Sequence, residues 1–135
     1  MSIVQSIRPM AVLLEKDVSL AAASGTTVGI SVPAGVTVLA AGFQNYVVVA
    51  DVTTYTLDVT DGTTVFANDL NFDNTAANSN KGGVTPGFIA AADTIDVVTT
   101  ISGSPGVITG RVWALVVDCG AGTRTAATVD RDQLA

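Results

Sequence analysis

The sequence predicts an all-β single domain, a sandwich or a barrel, and three observations carry that expectation. Val, Thr, Ala and Gly dominate a chain that is 48% hydrophobic but only 5% aromatic and 13% charged, and β-branched residues lose little on a pleated strand. Several segments alternate apolar and polar residues with the period of two that a half-buried strand requires. Gly and Pro interrupt these segments at short intervals, with no helical patterns between them. The 135 residues suffice for one domain that buries roughly two thirds of the surface its unfolded chain exposes. The expected organisation is an N-terminal arm over residues 1–9, a β-sandwich body over 10–119 and a C-terminal tail or arm over 120–135.

In chain order, Ser2 to Pro9 is short and mixed, and Pro9 biases Arg8 toward extended backbone. The run from Met10 to Leu20 contains helix and strand formers; its brevity and β-rich surroundings favour a strand. Thr26 to Val32 alternates so that Val28, Ile30 and Val32 share a face. Pro33-Ala34-Gly35 then supplies a turn, after which Val36, Val38 and Ala40 alternate again. Gly42 reads as a break, and Tyr46 to Ala50 as an apolar strand covered on both faces.

Tyr55 to Thr60 is the cleanest strand, with odd positions apolar and even positions polar. Asp61-Gly62 suits a two-residue hairpin leading back through Thr63 to Phe66. Ala67 to Gly83, rich in Asn, Asp, Ala and Ser, reads as a long loop with room for one helical turn, and long loops are often contact surfaces. Pro86-Gly87 turns the chain. Thr94 to Ile101 places Ile95, Val97, Thr99 and Ile101 on one face. Beyond the loop Gly103-Ser104-Pro105-Gly106, Val107 to Asp118 is a last strand, apolar on both faces, whose Trp113 reads as a core anchor in preference to a ligand-stacking residue because an apolar strand surrounds it. From Gly120 onward periodicity is lost.

Composition narrows function more by exclusion than by motif. The net charge is −6 and the six basic residues, Arg8, Lys16, Lys81, Arg111, Arg124 and Arg131, are scattered, so no basic stripe exists to neutralise phosphates and nucleic-acid binding is not expected. The uncharged stretch Val18 to Ala50 is interrupted by Ser24, Gly25, Pro33, Gly42 and Asn45 and is too polar to span a membrane. The N terminus lacks the signature of a signal peptide, which fits synthesis in a reducing cytoplasm. Sparse charge leaves a surface of small residues that desolvate cheaply against a neighbouring chain, which points to an assembly.

No catalytic, metal or cofactor-binding residues are assigned. The chain has no histidine and one cysteine, Cys119, so the usual general base, an internal disulfide and a zinc set are all missing. A half-buried free thiol is the expected state of Cys119. Asp61-Gly62-Thr63 fails to match the aspartic-protease loop, which places Thr or Ser between Asp and Gly. The segment from Asp69 begins like a calcium loop but has Asn74 and Asn80 where that loop needs Gly and Glu. A carboxylate pair working on sugars normally has stacking aromatics, and this chain has seven aromatics in all.

The order of segments resembles the head decoration, or cement, proteins of tailed bacteriophages. The resemblance runs from about Val28 to Val117. It is carried by Val32-Pro33-Ala34-Gly35 between two strands, Tyr55-Thr56-Leu57-Asp58-Val59 with Asp61-Gly62, Ala92-Asp93-Thr94-Ile95-Asp96-Val97, and Gly110 to Asp118 around Arg111-Val112-Trp113. It implies a jelly-roll-like β-sandwich, present in many copies and often trimeric, that binds the major capsid protein on the outside of the virion. It brings no catalytic residues and no cofactor. The competing expectation is a carbohydrate- or receptor-binding β-sandwich of the fibre type, for which Tyr46, Phe72 and Phe88 are the candidate contact residues.

Overall fold

A computed structural model describes residues 11–118; the arm expected over 1–9, the tail expected over 120–135 and Cys119 lie outside the described residues. The strands are β1 (Ala11–Leu20), β2 (Gly25–Val32), β3 (Val36–Asn45), β4 (Val52–Thr60), β5 (Val65–Asn71), β6 (Asn80–Gly83), β7 (Gly87–Ile89), β8 (Asp93–Gly103) and β9 (Ile108–Asp118). They form a β-sandwich. One sheet has the order β1-β9-β3-β6, with β7 also paired to β3, and the other has the order β2-β8-β4-β5. Every pairing is antiparallel. The pairs are nested: β1 with β9, β2 with β8, β3 with β6 and β7, and β4 with β5. The two halves of the chain thus run as one long ribbon folded across both sheets.

The core fills the space between the sheets with alternating inward residues. Tyr55, Leu57 and Val59 of β4 and Ile95 and Val97 of β8 are fully buried, with Thr99 nearly so, as the period-two reading predicts. Phe43 and Phe72 meet edge to face, with ring centroids 5.7 Å apart and planes at 80°, a favourable aromatic geometry. Gly35, at φ 88°, completes the expected Pro33-Ala34-Gly35 turn between β2 and β3.

Several expectations are corrected. In β2 the register shifts between Thr27 and Ile30, so Val28 is 58% exposed while Ile30 and Val32 reach the core. A second shift, between Val38 and Ala40, adds one residue to β3, and the inward phase passes from Val36 and Val38 to Ala41 and Phe43. Such a bulge reverses the simple alternation that had placed Ala40 inside. Gly42 lies within β3 and breaks nothing.

Tyr46 to Ala50 is a loop, not a strand. Within it Val49 is fully buried, whereas Val47 and Val48 are exposed, so an apolar run that looked doubly covered is pinned by one side chain. Asp61-Gly62 does turn the chain, but Thr60 pairs with Val65, which makes the connection four residues long. The Asp61 carboxylate accepts from the amides of Thr63 and Thr64, and Gly62 takes φ 92°. The expected long loop from Ala67 to Gly83 is sheet at both ends, with β5 running to Asn71 and β6 beginning at Asn80, and the loop that remains over 72–79 has no helical turn. Asn and Asp at bulged or edge positions disguised these strands: Asp69 has φ 51° and its amide donates to the Asp58 carboxylate.

Trp113 is not a core anchor. In β9 Val112, Ala114 and Val116 point inward, while Arg111, Trp113, Leu115 and Val117 are half-buried on the opposite, outer face.

Candidate functional site

The outer face of the β1-β9-β3-β6 sheet gathers the chain's most distinctive side chains. Residues directly opposite one another in a sheet share a face, so the registers define its rows. Ala11, Val117, Thr37 and Phe88 form the first row. Leu13, Leu115 and Ala40 form the second; Glu15, Trp113, Gly42 and Gly82 the third; Asp17, Arg111, Gln44 and Asn80 the fourth. Ser19 and Thr109 follow, and there the Tyr46 amide donates to the Thr109 carbonyl.

The third row explains both glycines. Cβ atoms added at Gly42 and Gly82 would lie 2.5 and 2.6 Å from the Trp113 indole, closer than carbon atoms tolerate. The ring therefore rests on bare backbone, and its Nε1–H donates to Asn80 Oδ1 at 2.7 Å. A glycine that reads as a strand breaker is here the seat of an aromatic side chain.

Below Trp113 the face is polar and internally paired. Arg111 lies 2.8 Å from the Glu15 carboxylate and donates to Gln44 Oε1 at 2.7 Å. The Tyr46 hydroxyl donates to Asp17 at 2.5 Å, and that bond holds the phenol above its ordinary pKa, with partial desolvation and the charge of Asp17 acting the same way. The side chains bound two shallow depressions of about 290 Å³ each, which share Asp17 and Tyr46. Above Trp113 the face is apolar: Leu13 is 53% exposed and Phe88 52%, with Leu115 and Val117 half-buried beside them.

The other sheet offers different chemistry. Its outer positions are mainly Thr, Ser and Asp, including Thr26, Ser31, Thr56, Asp58, Asp96 and Thr100. Its four strands contain no Lys or Arg, while Lys16, Lys81 and Arg111, the basic residues in the described range, all belong to strands of the first sheet. Lys16 donates to the Gly29 carbonyl at 3.0 Å, and Lys81 donates to the Asn71 carbonyl with its ammonium 5.2 Å from the Phe72 ring centre.

The aromatic residues proposed for glycan contact do not come together as a site. Phe72 is fully buried against Phe43, because the segment read as loop folds back onto β4, where the Phe72 amide donates to the Tyr55 carbonyl. Tyr46 lies on the first sheet's outer face with its hydroxyl engaged, and Phe88 stands at the opposite, apolar end. Sequence reading singled out Trp113 for the core and missed Leu13, Glu15, Asp17 and Gln44. The signal was present in the shared parity of Leu13-Glu15-Asp17 and Arg111-Trp113-Leu115, which becomes meaningful only when β1 is known to pair with β9. Among the described residues no group of three or more potential metal-ligating side chains of the His, Cys, Asp and Glu type comes together.

No protein-family model matches the sequence, and no curated protein matches it. The fold is similar to that of solved structures. One is a chain in the acidic stable capsid structure of Helicobacter pylori bacteriophage KHP30, with a TM-score of 0.57 and 13% identity over 84% of this chain and 91% of that chain. Another is a chain of the cyanophage Pam1 capsid asymmetric unit, with a TM-score of 0.58 and 13% identity over 84% of this chain and 88% of that one. At this identity the likeness is one of fold.

Proposed function

We propose that the chain is a structural protein of a phage virion, a decoration or cement protein that binds the outside of the head and braces neighbouring major-capsid-protein subunits. The observation that carries this reading is the fold shared with chains of two phage capsid structures. The jelly-roll-like reading draws support from the nested strand pairing across a five-stranded and a four-stranded sheet. The protein works without catalysis, as a homotrimer made in the host cytoplasm and held at the virion surface, and contacts neither nucleic acid nor membrane. On this reading the N-terminal arm expected over 1–9 and the C-terminal tail or arm expected over 120–135 add contacts to adjoining subunits. Several weak contacts linked in this way hold far more tightly than each alone, because the first raises the effective concentration of the rest.

The test is co-sedimentation of the purified protein with empty heads assembled from major capsid protein. The expected result is saturable binding and a higher temperature of head disruption. Absence of binding to heads, with the protein folded, overturns the reading.

A further inference from the structure

We propose that the outer face of the β1-β9-β3-β6 sheet carries a binding site for a neutral glycan, with Trp113 as its stacking platform; the site goes beyond the proposed function and does not rest on it. The setting of the indole carries the argument. Gly42 and Gly82 stand opposite each other on β3 and β6. A Cβ added at either would come nearest the same indole atom, Cζ2, at 2.5 and 2.6 Å, with Cε2 2.7 Å from the first and Cη2 2.8 Å from the second. The benzo edge therefore runs across the sheet from β3 toward β6. In the same ring plane, Nε1–H points along the sheet to Asn80, which precedes Gly82 by two residues on β6. These two directions lay the indole flat, with one face on bare backbone and the other turned outward, and the side chain is half-buried rather than covered.

The outward ring face and its surroundings match the two sides of a pyranose. A sugar ring has an apolar face of C–H groups, which rest favourably on the electron-rich face of an indole, and a rim of hydroxyls that both donate and accept. Beside Trp113 the fourth row supplies Asp17, Arg111, Gln44 and Asn80, about 6.8 Å away along the strands, and Glu15 stands in the third row with the tryptophan. Their internal pairing uses Gln44 Oε1, Asn80 Oδ1 and one oxygen each of Glu15 and Asp17. It leaves the Gln44 and Asn80 amide NH2 groups as donors and the second carboxylate oxygens as acceptors. The same pairing holds these side chains in place, so binding has little left to order. The row ends in the shallow depressions at Asp17 and Tyr46, about 290 Å³ each, where a further sugar unit has room. Charge narrows the class. Lys16 and Lys81 stand opposite the core residues Val112 and Phe43, so the face sets Glu15 and Asp17 against Arg111 alone and disfavours acidic sugars.

The experiment presents the full chain with immobilised neutral trisaccharides of glucose, galactose, mannose and N-acetylglucosamine, with sialyllactose as the acidic comparison, and titrates each retained sugar against tryptophan emission. The chain has one tryptophan, so a change in emission reports on this ring alone. The expected result is retention of at least one neutral trisaccharide with a saturable change in emission, and weaker retention of sialyllactose. Trp113→Ala should weaken binding at least tenfold, as should Gln44→Ala, which leaves the indole in place. Phe88→Ala, an exposed position at the apolar end of the same face, should leave binding unchanged. Far-UV circular dichroism verifies that each variant keeps its strands. Retention of none of the neutral sugars, retention without a change in emission, tighter binding of sialyllactose, or binding that survives Gln44→Ala overturns the inference. Head co-sedimentation in parallel separates the two proposals: a chain that binds heads and no sugar refutes this site and leaves the proposed function standing, whereas one that binds sugar through Trp113 and never binds heads does the reverse.

Discussion

At the scale of single residues, the absence of a side chain matters as much as its presence. Gly82 sits under the Trp113 indole, and an added Cβ would also lie 2.9 Å from the Ala41 carbonyl oxygen. Gly82→Ala is therefore expected to cost about 1–3 kcal/mol, the usual range for overpacking. Urea unfolding followed by the emission of the chain's one tryptophan reads both the stability and the displaced ring; an unchanged midpoint and spectrum would show that the indole has room to move.

Tyr55 poses the opposite case. Its ring is fully buried, its hydroxyl has no hydrogen-bond partner among the described residues, and burial pushes its pKa up to about 12 from 10.0. A raised pKa means that the fold favours the neutral phenol, so stability is intact below pH 10 and is lost as the pH climbs toward 12, by up to about 1.4 kcal/mol per pH unit. Tyr55→Phe should lie within about 1 kcal/mol of the parent at pH 7, since it surrenders no hydrogen bond, and should flatten the alkaline decline in urea midpoints measured between pH 9 and 11.5.

At the scale of elements, two loops are held together by one buried amide. Asn45 is fully buried at the end of β3. Its Nδ2 donates to the carbonyls of Val47 and Ala76 at 2.7 and 2.9 Å, and its Oδ1 accepts from the Ser79 amide at 2.9 Å. The backbone of 46–50 is thereby tied to 75–80, the stretch that leads into β6. Asn45→Ala removes all three bonds at once and is expected to cost about 2–4 kcal/mol. Faster hydrogen exchange should follow at the Tyr46, Asn78 and Ser79 amides, and protection equal to the parent's at these amides would count against the role. The same connection shows why this region was illegible in the sequence: an Asn-rich segment reads as solvated loop, and only the position of Asn45 inside the sandwich turns its amide into a structural tie.

At the scale of the whole molecule, nested pairing makes the outermost contacts the most distant in sequence, with Ala11 opposite Val117. Closing such loops is entropically slow, and β-sandwiches dominated by non-local pairs fold in milliseconds to seconds. The β4–β5 pair is local by comparison, so it is expected to form early and β1–β9 late. Leu57→Ala in β4 should then slow refolding, whereas Leu20→Ala in β1 should act mainly by speeding unfolding; both residues are fully buried, and each change is expected to cost about 2–5 kcal/mol. Stopped-flow chevrons decide the order, and the reverse partition would place β1–β9 in the folding nucleus.

The sequence by itself determined the all-β class and the strands whose alternation is unbroken, β4 and β8 above all, because a period of two survives wherever one face is buried along the whole strand. It also determined the acidic, histidine-free chemistry that turned attention from catalysis to surfaces. Only the tertiary structure decided the rest. Bulges in β2 and β3 shift the inward phase by one residue, so Val28 and Ala40 turn away from the core although their spacing pointed inward. The pairing of β1 with β9, about a hundred residues apart in the chain, places Leu13 and Glu15 beside Leu115 and Trp113 and creates a face that no local window contains. Trp113 itself was assigned to the core because an apolar strand surrounds it; the alternation of β9, with Val112, Ala114 and Val116 inward, puts it on the outer face, and the bare backbone of Gly42 and Gly82, brought beside it by β3 and β6, makes room for its ring.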